Sequence, residues 1–251
     1  MKCDFSYRHY IETLKLFSQK YSIHPIQNYN KINKKNNCIL LRHDVDFSLD
    51  HALNLAKEEK KYNFTSTYFI LLHSPYYNAL STENSKIISS ISNMGHEIGL
   101  HYDTSMMPKN IPKMILQLKN ESDILSNITG KRVRCVAQHN TSLMRNIFKF
   151  IPHDVFIDPM SEEISNDFLY LSDSVQNWRK GCMCKHVGKN PKMQILTHPI
   201  WWNKIPMTRN EMYEKLYLNE CKKVKKLIKN DEILPKYYFN EILKKEKLFQ
   251  N

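Results

Sequence analysis

Aspartate and histidine residues follow several short apolar segments of the sequence, and both residue types can bind a divalent metal or move a proton. The polar groups are His43-Asp44-Val45-Asp46, His101-Tyr102-Asp103, Gln138-His139-Asn140 and Thr197-His198-Pro199. The carboxyl ends of parallel strands form the ligand-binding edge of α/β folds. Strands that end in these residue types therefore predict a shared metal or acid–base site.

The alternation of side chains divides these residues into two sets. Asp44 and Asp46 are two positions apart, and side chains at i and i+2 of an extended segment point the same way. We expect one carboxylate to bind a metal while the other takes a proton from an activated water molecule. By the same rule His43 faces away from Asp44 and is given no catalytic role. His96 lies at an odd offset from His101 and is expected to be structural.

The order of these motifs resembles one enzyme family, the NodB-type polysaccharide deacetylases of carbohydrate esterase family four. The matching segments span residues 38–202 and are RHDVD at 42–46, STYFILL at 66–72, MGHEIGLHYD at 94–103, QHN at 138–140, YLSDSVQNW at 170–178 and LTHPIWW at 196–202. The resemblance implies a divergent, metal-dependent hydrolase that removes the acyl group of an N-acylated sugar.

The resemblance also implies a role for each matching residue. Asp44 is the expected base and His198 the expected general acid. Asp46 and His101 are expected to bind the metal, most simply Zn²⁺. The substrate groove is expected to contain Asp173 and Trp178. Trp202 is a further candidate for the groove because an aromatic ring can stack on a sugar, although it could equally belong to the core.

The sequence departs from the family at the second metal-binding histidine, because Ser105 stands at that position. A hydroxyl is a poor zinc ligand beside imidazole or carboxylate. His139 is the predicted replacement, Asp103 is an alternative, and a catalytically silent relative with a weak or absent metal is the third outcome. The usual Arg-x-Pro motif is also missing, which leaves Arg42, Arg134 and Arg179 as candidates for orienting Asp44.

The spacing of apolar residues predicts the elements that carry these motifs. Strands are predicted at 38–46, 66–72, 96–103 and 132–140, with weaker ones at 154–157, 168–171 and 194–197, and helices fall between them. This alternation predicts an α/β fold, which the resemblance specifies as a distorted β/α barrel of about seven parallel strands. We expect residues 1–207 to form the catalytic domain and 208–251 a C-terminal helical extension packed on it.

The composition argues against a membrane-spanning protein, a nucleic-acid-binding protein and a disulfide-stabilised protein. The chain has 251 residues and a net charge of +12, and its apolar runs are too short to span a membrane. No nucleic-acid-binding motif accompanies the charge, so nucleic acid is not an expected partner. The six cysteines show no disulfide framework and are expected to be free thiols.

The expected substrate follows from location and charge. The first residues lack the apolar segment of a signal peptide, so we expect a cytoplasmic enzyme of surface polysaccharide biosynthesis. Its substrate would be an N-acylated sugar of an intracellular precursor, nucleotide-linked or lipid-linked, whose phosphates the basic surface favours. The alternatives are hydrolysis of another small amide and a silent glycan-binding relative. An open groove exposing Trp178 and Trp202 would favour the glycan. The sequence does not indicate an oligomeric state.

Overall fold

A sheet of seven parallel strands forms the centre of the protein, which we describe from a computed structural model. The strands are β1 (Ser22–His24), β2 (Cys38–Val45), β3 (Thr67–Leu71), β4 (Glu97–Asp103), β5 (Val136–His139), β6 (Leu169–Ser172) and β7 (Lys192–Thr197). Their order is β5-β4-β3-β2-β7-β6, with β1 beside β2. The sheet curls into a half-barrel, which confirms the predicted parallel α/β fold. Six of its seven strands match predicted ones, and β1 was not predicted.

Helices precede, connect and follow the strands. They are α1 (Tyr7–Ser18), α2 (Leu49–Lys60), α3 (Thr82–Asn93), α4 (Ile111–Thr129), α5 (Glu162–Asp167) and α6 (Arg209–Asn230). All of them except α5 match helical segments predicted from the sequence. Local chemistry sets their ends. The Ser48 and Asn110 side chains accept hydrogen bonds from the first turns of α2 and α4. Gly130, at φ 65°, ends α4 in the left-handed conformation that favours glycine.

The structure describes residues 3–33, 35–139, 155–230 and 241. Asn140, the last residue of the predicted strand 132–140, and residue 154 lie outside the described part. Over 155–157 the predicted short strand is reduced to a single bridge between Cys135 and Ile157.

The chain divides into two compact units, Met1–Pro206 and Met207–Asn251, and α6 belongs to the second. The packing of the C-terminal segment on the catalytic domain stays a prediction. Among the described helices, none combines the length and apolarity that crossing a bilayer requires.

The two faces of the sheet carry different residues. One face packs against α2, α3 and α4 through residues such as Val45, Ile70 and Leu100. The concave face carries Leu40 and Phe69, together with the turn that contains Ile26. Because side chains alternate along a strand, Arg42 and Asp44 share the concave face with Leu40. The fold therefore places the polar end of β2 inside the curl.

Gly99 in β4 allows a close approach within this concave face. A Cβ at Gly99 would lie 2.5 Å from the ring of Phe69 in the neighbouring strand. The same ring lies 4.8 Å from the guanidinium carbon of Arg42. The missing side chain thus makes room for the ring that supports Arg42.

Candidate active site

Strand register brings three predicted metal ligands to one place. Asp46 directly follows β2, His101 lies in β4 and His139 is the last residue of β5. His101 pairs with Ala137 of the neighbouring strand. His139 lies two residues after Ala137, so its side chain points to the same face as that of His101. Asp46, His101 and His139 form a group whose ligand atoms all lie within 4.8 Å of one another.

The separations of these atoms fit one tetrahedral cation. Oδ1 of Asp46 lies 3.2 Å from Nε2 of His101 and 3.4 Å from Nδ1 of His139. The two imidazole nitrogens are 3.2 Å apart. Atoms that bind one tetrahedral zinc at about 2.0–2.1 Å lie about 3.3 Å from each other. One aspartate and two histidines are also a donor set that zinc accepts, so these residues fit a divalent metal.

Hydrogen bonding prepares His101 for this role. Its Nδ1 donates to the carbonyl oxygen of Ala137 at 2.9 Å. That bond fixes the tautomer in which Nε2 carries a lone pair, the form that binds a metal. Oδ1 of Asp46 is buried and accepts no hydrogen bond of good geometry from the described residues. A buried carboxylate oxygen of this kind is what a cation would satisfy.

Electrostatics keep Asp46 ionised. Burial alone would raise the pKa of its carboxyl group, but its contacts with His101 and His139 hold that pKa well below the ordinary value. The same contact with Asp46 raises the pKa of His139. The carboxylate is thus held in the charged form that a metal needs.

Asp103, the alternative third ligand, has a different role in the structure. Its Oδ1 accepts hydrogen bonds from the backbone N–H and the hydroxyl of Ser105, at 2.9 and 2.8 Å. Asp103 therefore caps the turn that follows β4 and lies outside the group formed by Asp46, His101 and His139. Between the two candidates, the geometry favours His139.

Asp44 lies beside this group and is held by Arg42. Nη2 of Arg42 donates to both carboxylate oxygens at 2.7 Å, and its Nε donates to Oδ1 at 3.2 Å. Burial would raise the pKa of Asp44, but the Arg42 guanidinium lowers it. Oδ2 of Asp44 lies 3.7 Å from Nε2 of His101. Of the three candidate arginines, Arg42 is the one that orients Asp44.

His198 approaches the group from β7. Its Nδ1 and its backbone N–H both donate to Asp173, the former at 2.7 Å. Nε2 consequently points toward Asp46, at 3.8 Å from Oδ2. Burial would lower the pKa of His198, but the hydrogen bond to Asp173 and the nearby carboxylates raise it to about 9. His198 is therefore an imidazolium at neutral pH and can donate a proton.

Two of the predicted groove residues are buried. Trp202 has no exposed surface, and its indole N–H donates to Oδ2 of Asp173 at 2.8 Å. Asp173 is also fully buried, with its oxygens occupied by Trp202 and His198. The expectation that Trp202 stacks on a sugar needs correction, because its ring packs among Phe5 and Tyr10. Trp178 is half-buried, and its role in the groove stays a prediction.

A pair of aromatic residues near the site was not singled out from the sequence. Phe47 directly follows Asp46 and is half-buried. Its ring centroid lies 4.7 Å from that of Tyr76, which is 45% exposed. Adjacency to Asp46 is the signal that could have identified Phe47. Tyr76 has no such signal, because the fold alone brings it there.

Comparison with known proteins finds only distant similarity. No protein-family model matches the chain, and no curated protein matches it. Among solved structures, a CE4 family pseudoenzyme from Bacillus anthracis is 14% identical over 74% of this chain and 61% of that chain, with a TM-score of 0.47. The chain thus spans about three fifths of the length of that structure.

Two further solved structures are similar at the same level. A family 4 carbohydrate esterase from Bacillus anthracis is 14% identical over 83% of this chain and 85% of that chain, with a TM-score of 0.43. The peptidoglycan deacetylase PdaC from Bacillus subtilis is 14% identical over 78% of this chain and 98% of that chain, with a TM-score of 0.43.

Proposed function

We propose that this chain is a divergent member of the polysaccharide deacetylase family that hydrolyses the amide of an N-acylated sugar with a divalent metal, most simply Zn²⁺. One observation carries the proposal. The mutual distances of 3.2–3.4 Å among Asp46, His101 and His139 match one tetrahedral cation, and an ionised aspartate and a protonated histidine lie against that group.

The aspartate is Asp44. When bound, a divalent cation supplies Lewis acidity, which polarises an acyl oxygen and lowers the pKa of water. Asp44 accepts the proton of the attacking water at a carboxylate oxygen. Arg42 keeps the carboxylate ionised and fixes its orientation through two-pronged hydrogen bonds. A fixed base reduces the rearrangement that the reaction needs.

The protonated histidine is His198. Hydrolysis forms a bond between the water oxygen and the acyl carbon and breaks the bond between that carbon and the amide nitrogen. The leaving nitrogen needs a proton, and His198 donates it from Nε2. Asp173 holds Nδ1 at 2.7 Å and stabilises the imidazolium. Trp202 in turn holds Asp173, so it acts as a positioning residue.

The sugar would be recognised by aromatic and basic groups. Phe47, which directly follows Asp46 in the chain, forms a ring pair with Tyr76, and we assign this pair to sugar contact because aromatic rings cover the apolar faces of pyranoses. Trp178, half-buried after β6, is a second candidate for this contact. The net charge of +12 favours a substrate with phosphates, such as a nucleotide-linked or lipid-linked precursor of a surface polysaccharide. The cytoplasmic location of that precursor stays a prediction.

A second candidate function is hydrolysis of a small amide that is not a glycan. The burial of Trp202 favours it, because one of the two tryptophans expected to line an open glycan groove is unavailable to a ligand. The residues that perform the chemistry would be the same. The Tyr76→Ala variant separates the two functions, since loss of a stacking ring raises KM for a sugar and leaves KM for a small amide unchanged.

The metal site is tested by elemental analysis of the purified chain. Asp46→Ala, His101→Ala and His139→Ala should each contain one equivalent of metal less than the wild type. Ser105→Ala is the matched control, because Ser105 stands at the position of the missing family histidine but directs its hydrogen bonds to Asp103. Wild-type metal content in the three variants would remove these residues as ligands.

Activity is tested by acetate release from N-acetylated sugar oligomers and from a nucleotide-linked N-acetyl sugar. The metal-replete wild type should release acetate. Asp44→Asn should keep the metal and lose about 10²–10⁴-fold in turnover, the usual contribution of a general base. An unchanged rate in Asp44→Asn would exclude it as the base, and no acetate from any of these sugars would overturn the proposed substrate class.

A further inference from the structure

Three cysteines and one histidine form a cluster apart from the candidate active site. Cys3, His9, Cys182 and Cys184 each place a ligand atom within 4.8 Å of the others. Sγ of Cys3 lies 3.2 Å from Sγ of Cys184, and Nε2 of His9 lies 3.1 Å from Sγ of Cys182. His9 and Cys182 are buried, while Cys3 is at the surface.

The four residues come from distant parts of the chain that the fold holds together. Cys3 precedes α1, and His9 lies in its first turn, where its backbone N–H donates to Ser6. Cys182 and Cys184 lie in the turn ahead of β7. A separation of 181 residues between Cys3 and Cys184 is why sequence spacing gave no sign of a metal site.

Backbone hydrogen bonds hold the N-terminal segment, which carries Cys3 and His9, in place independently of the cysteine side chains. The segment before α1 pairs with the segment after β7, because Tyr7 donates its backbone N–H to Asn203 at 2.8 Å and Asn203 donates to Phe5 at 3.0 Å. These bonds bring α1 to the body of the domain. The four ligand atoms therefore meet as a consequence of the fold.

The donor set has a well-defined chemistry. Three thiolates and one imidazole are a common ligand set of structural zinc sites. Ligands of a tetrahedral zinc, at about 2.3 Å for sulfur and 2.0–2.1 Å for nitrogen, lie about 3.5–3.8 Å apart. The contacts of 3.1 and 3.2 Å are slightly shorter than that range, and all four ligand atoms lie within 4.8 Å of one another, so a cation at their centre needs only a small outward shift of the side chains. Nε2 of His9 is the nitrogen directed at the thiols, since it lies 3.1 Å from Sγ of Cys182, while Nδ1 is buried without a hydrogen-bond partner in the described part of the chain.

We propose that Cys3, His9, Cys182 and Cys184 bind one Zn²⁺ in a closed structural site that fastens α1 to the turn ahead of β7. All four positions of the cation are filled by the protein, which distinguishes this site from a catalytic one. Binding forms three sulfur–zinc bonds and one nitrogen–zinc bond and releases the thiol protons to solvent.

The location of the site connects it to the candidate active site. The ring of His9 stacks near Trp202 at 6.4 Å, and Tyr10 of the same helix lies 5.0 Å from Trp202. Trp202 holds Asp173, which holds His198. Zinc bound at this site would therefore fix α1, the helix that packs against Trp202 on the far side of Asp173 from His198.

Cobalt substitution of the full-length chain tests the proposal. Co²⁺ bound to thiolates gives an intense sulfur-to-metal charge-transfer band, which a site of aspartate and histidines cannot give. The Asp46→Ala/His101→Ala double variant, with the active-site ligands removed, should still bind one Zn²⁺ and show this band with Co²⁺. Adding Cys184→Ser or His9→Ala should lower the zinc content by one equivalent and weaken the band. Cys221→Ser, which alters a cysteine of α6, is the matched control and should change neither.

A measurement on the wild type covers the case in which the cysteine variants fail to fold. Titration of the unaltered chain with an organomercurial should release one equivalent of zinc as the thiols react. Absence of the charge-transfer band and of thiol-linked zinc release would overturn the proposal. So would a Cys3–Cys184 disulfide in the purified protein, found by mass spectrometry without reduction. The band reports thiolate ligands alone, so this result is independent of metal binding at Asp46.

Discussion

Glu59 offers a quantitative test of how the sheet is held against α2. This carboxylate has no exposed surface and accepts hydrogen bonds from Tyr10, Ser66 and Tyr68 at 2.5–2.8 Å. Nε2 of His43 lies 3.0 Å from Oε1 of Glu59. The Glu59→Gln variant keeps the shape and removes the charge. It also places an amide N–H₂ group among donors that need an acceptor.

The size of the expected loss in the free energy of unfolding follows from the pKa of Glu59. Burial raises that pKa, but the charge of His43 and the surrounding hydrogen bonds lower it from 4.5 to about 2. A difference of about 2.5 units between the unfolded and folded states corresponds to about 3 kcal/mol of stability at neutral pH, at about 1.4 kcal/mol per unit. We expect Glu59→Gln to lower the free energy of unfolding by about this amount at pH 7.

The pH dependence has a defined sign. Because the folded pKa is the lower one, the contribution of Glu59 is fully present above pH 4.5 and is lost as the pH falls toward 2. By pH 3 about 1 kcal/mol should remain. A protonated glutamate and the glutamine that replaces it in the variant have nearly the same shape and charge. The difference in stability between wild type and variant should therefore shrink over this range.

Urea unfolding followed by tryptophan fluorescence, repeated from pH 7 to pH 3, measures this difference. Glu58→Gln is the matched control, since Glu58 is the neighbouring residue in the chain and pairs with Lys61 at a partly exposed site. Surface pairs of this kind contribute about 0–1 kcal/mol, so the control should stay close to the wild type at every pH. A difference between wild type and Glu59→Gln that is the same at pH 7 and pH 3 would refute this reasoning.

Three further predictions concern the residues that support the site. Arg42→Lys loses the two-pronged contact with Asp44, so kcat for acetate release should fall about tenfold or more with the metal retained; an unchanged kcat would contradict this. Trp202→Phe leaves Oδ2 of Asp173 without its indole donor, so urea unfolding should show a free energy of unfolding lower by about 1–3 kcal/mol. A variant as stable as the wild type would show that this hydrogen bond does not stabilise the fold. Gly99→Ala places a Cβ 2.5 Å from an aromatic ring of β3, so thermal unfolding should report a loss of about 1–3 kcal/mol, and an unshifted midpoint would show that the ring can move.

Much of the fold and part of the candidate site could be predicted from local sequence patterns. Apolar runs of strand length between helical segments indicated the parallel sheet, because these patterns reflect burial along each element. The alternation of side chains placed Asp44 and Asp46 on the face opposite His43, and the structure has them so. The missing histidine at Ser105 pointed to His139, which the register of β4 and β5 brings to His101.

Contacts between distant segments were decided by the tertiary structure. Arg42, Arg134 and Arg179 were equivalent in the sequence, and only the packing of the concave face selected Arg42 as the partner of Asp44. Trp202 could have been core or groove, and the position of α1 buried it.

What the sequence alone determined about this protein is therefore the set of chemical groups and the strand ends that carry them. Tertiary structure decided two contacts that the sequence did not indicate. Cys3 lies against Cys184, and Trp202 donates a hydrogen bond to Asp173. The physical reason is that alternation and helical period constrain neighbours along the chain. The distance between segments far apart in sequence is set by how whole elements pack.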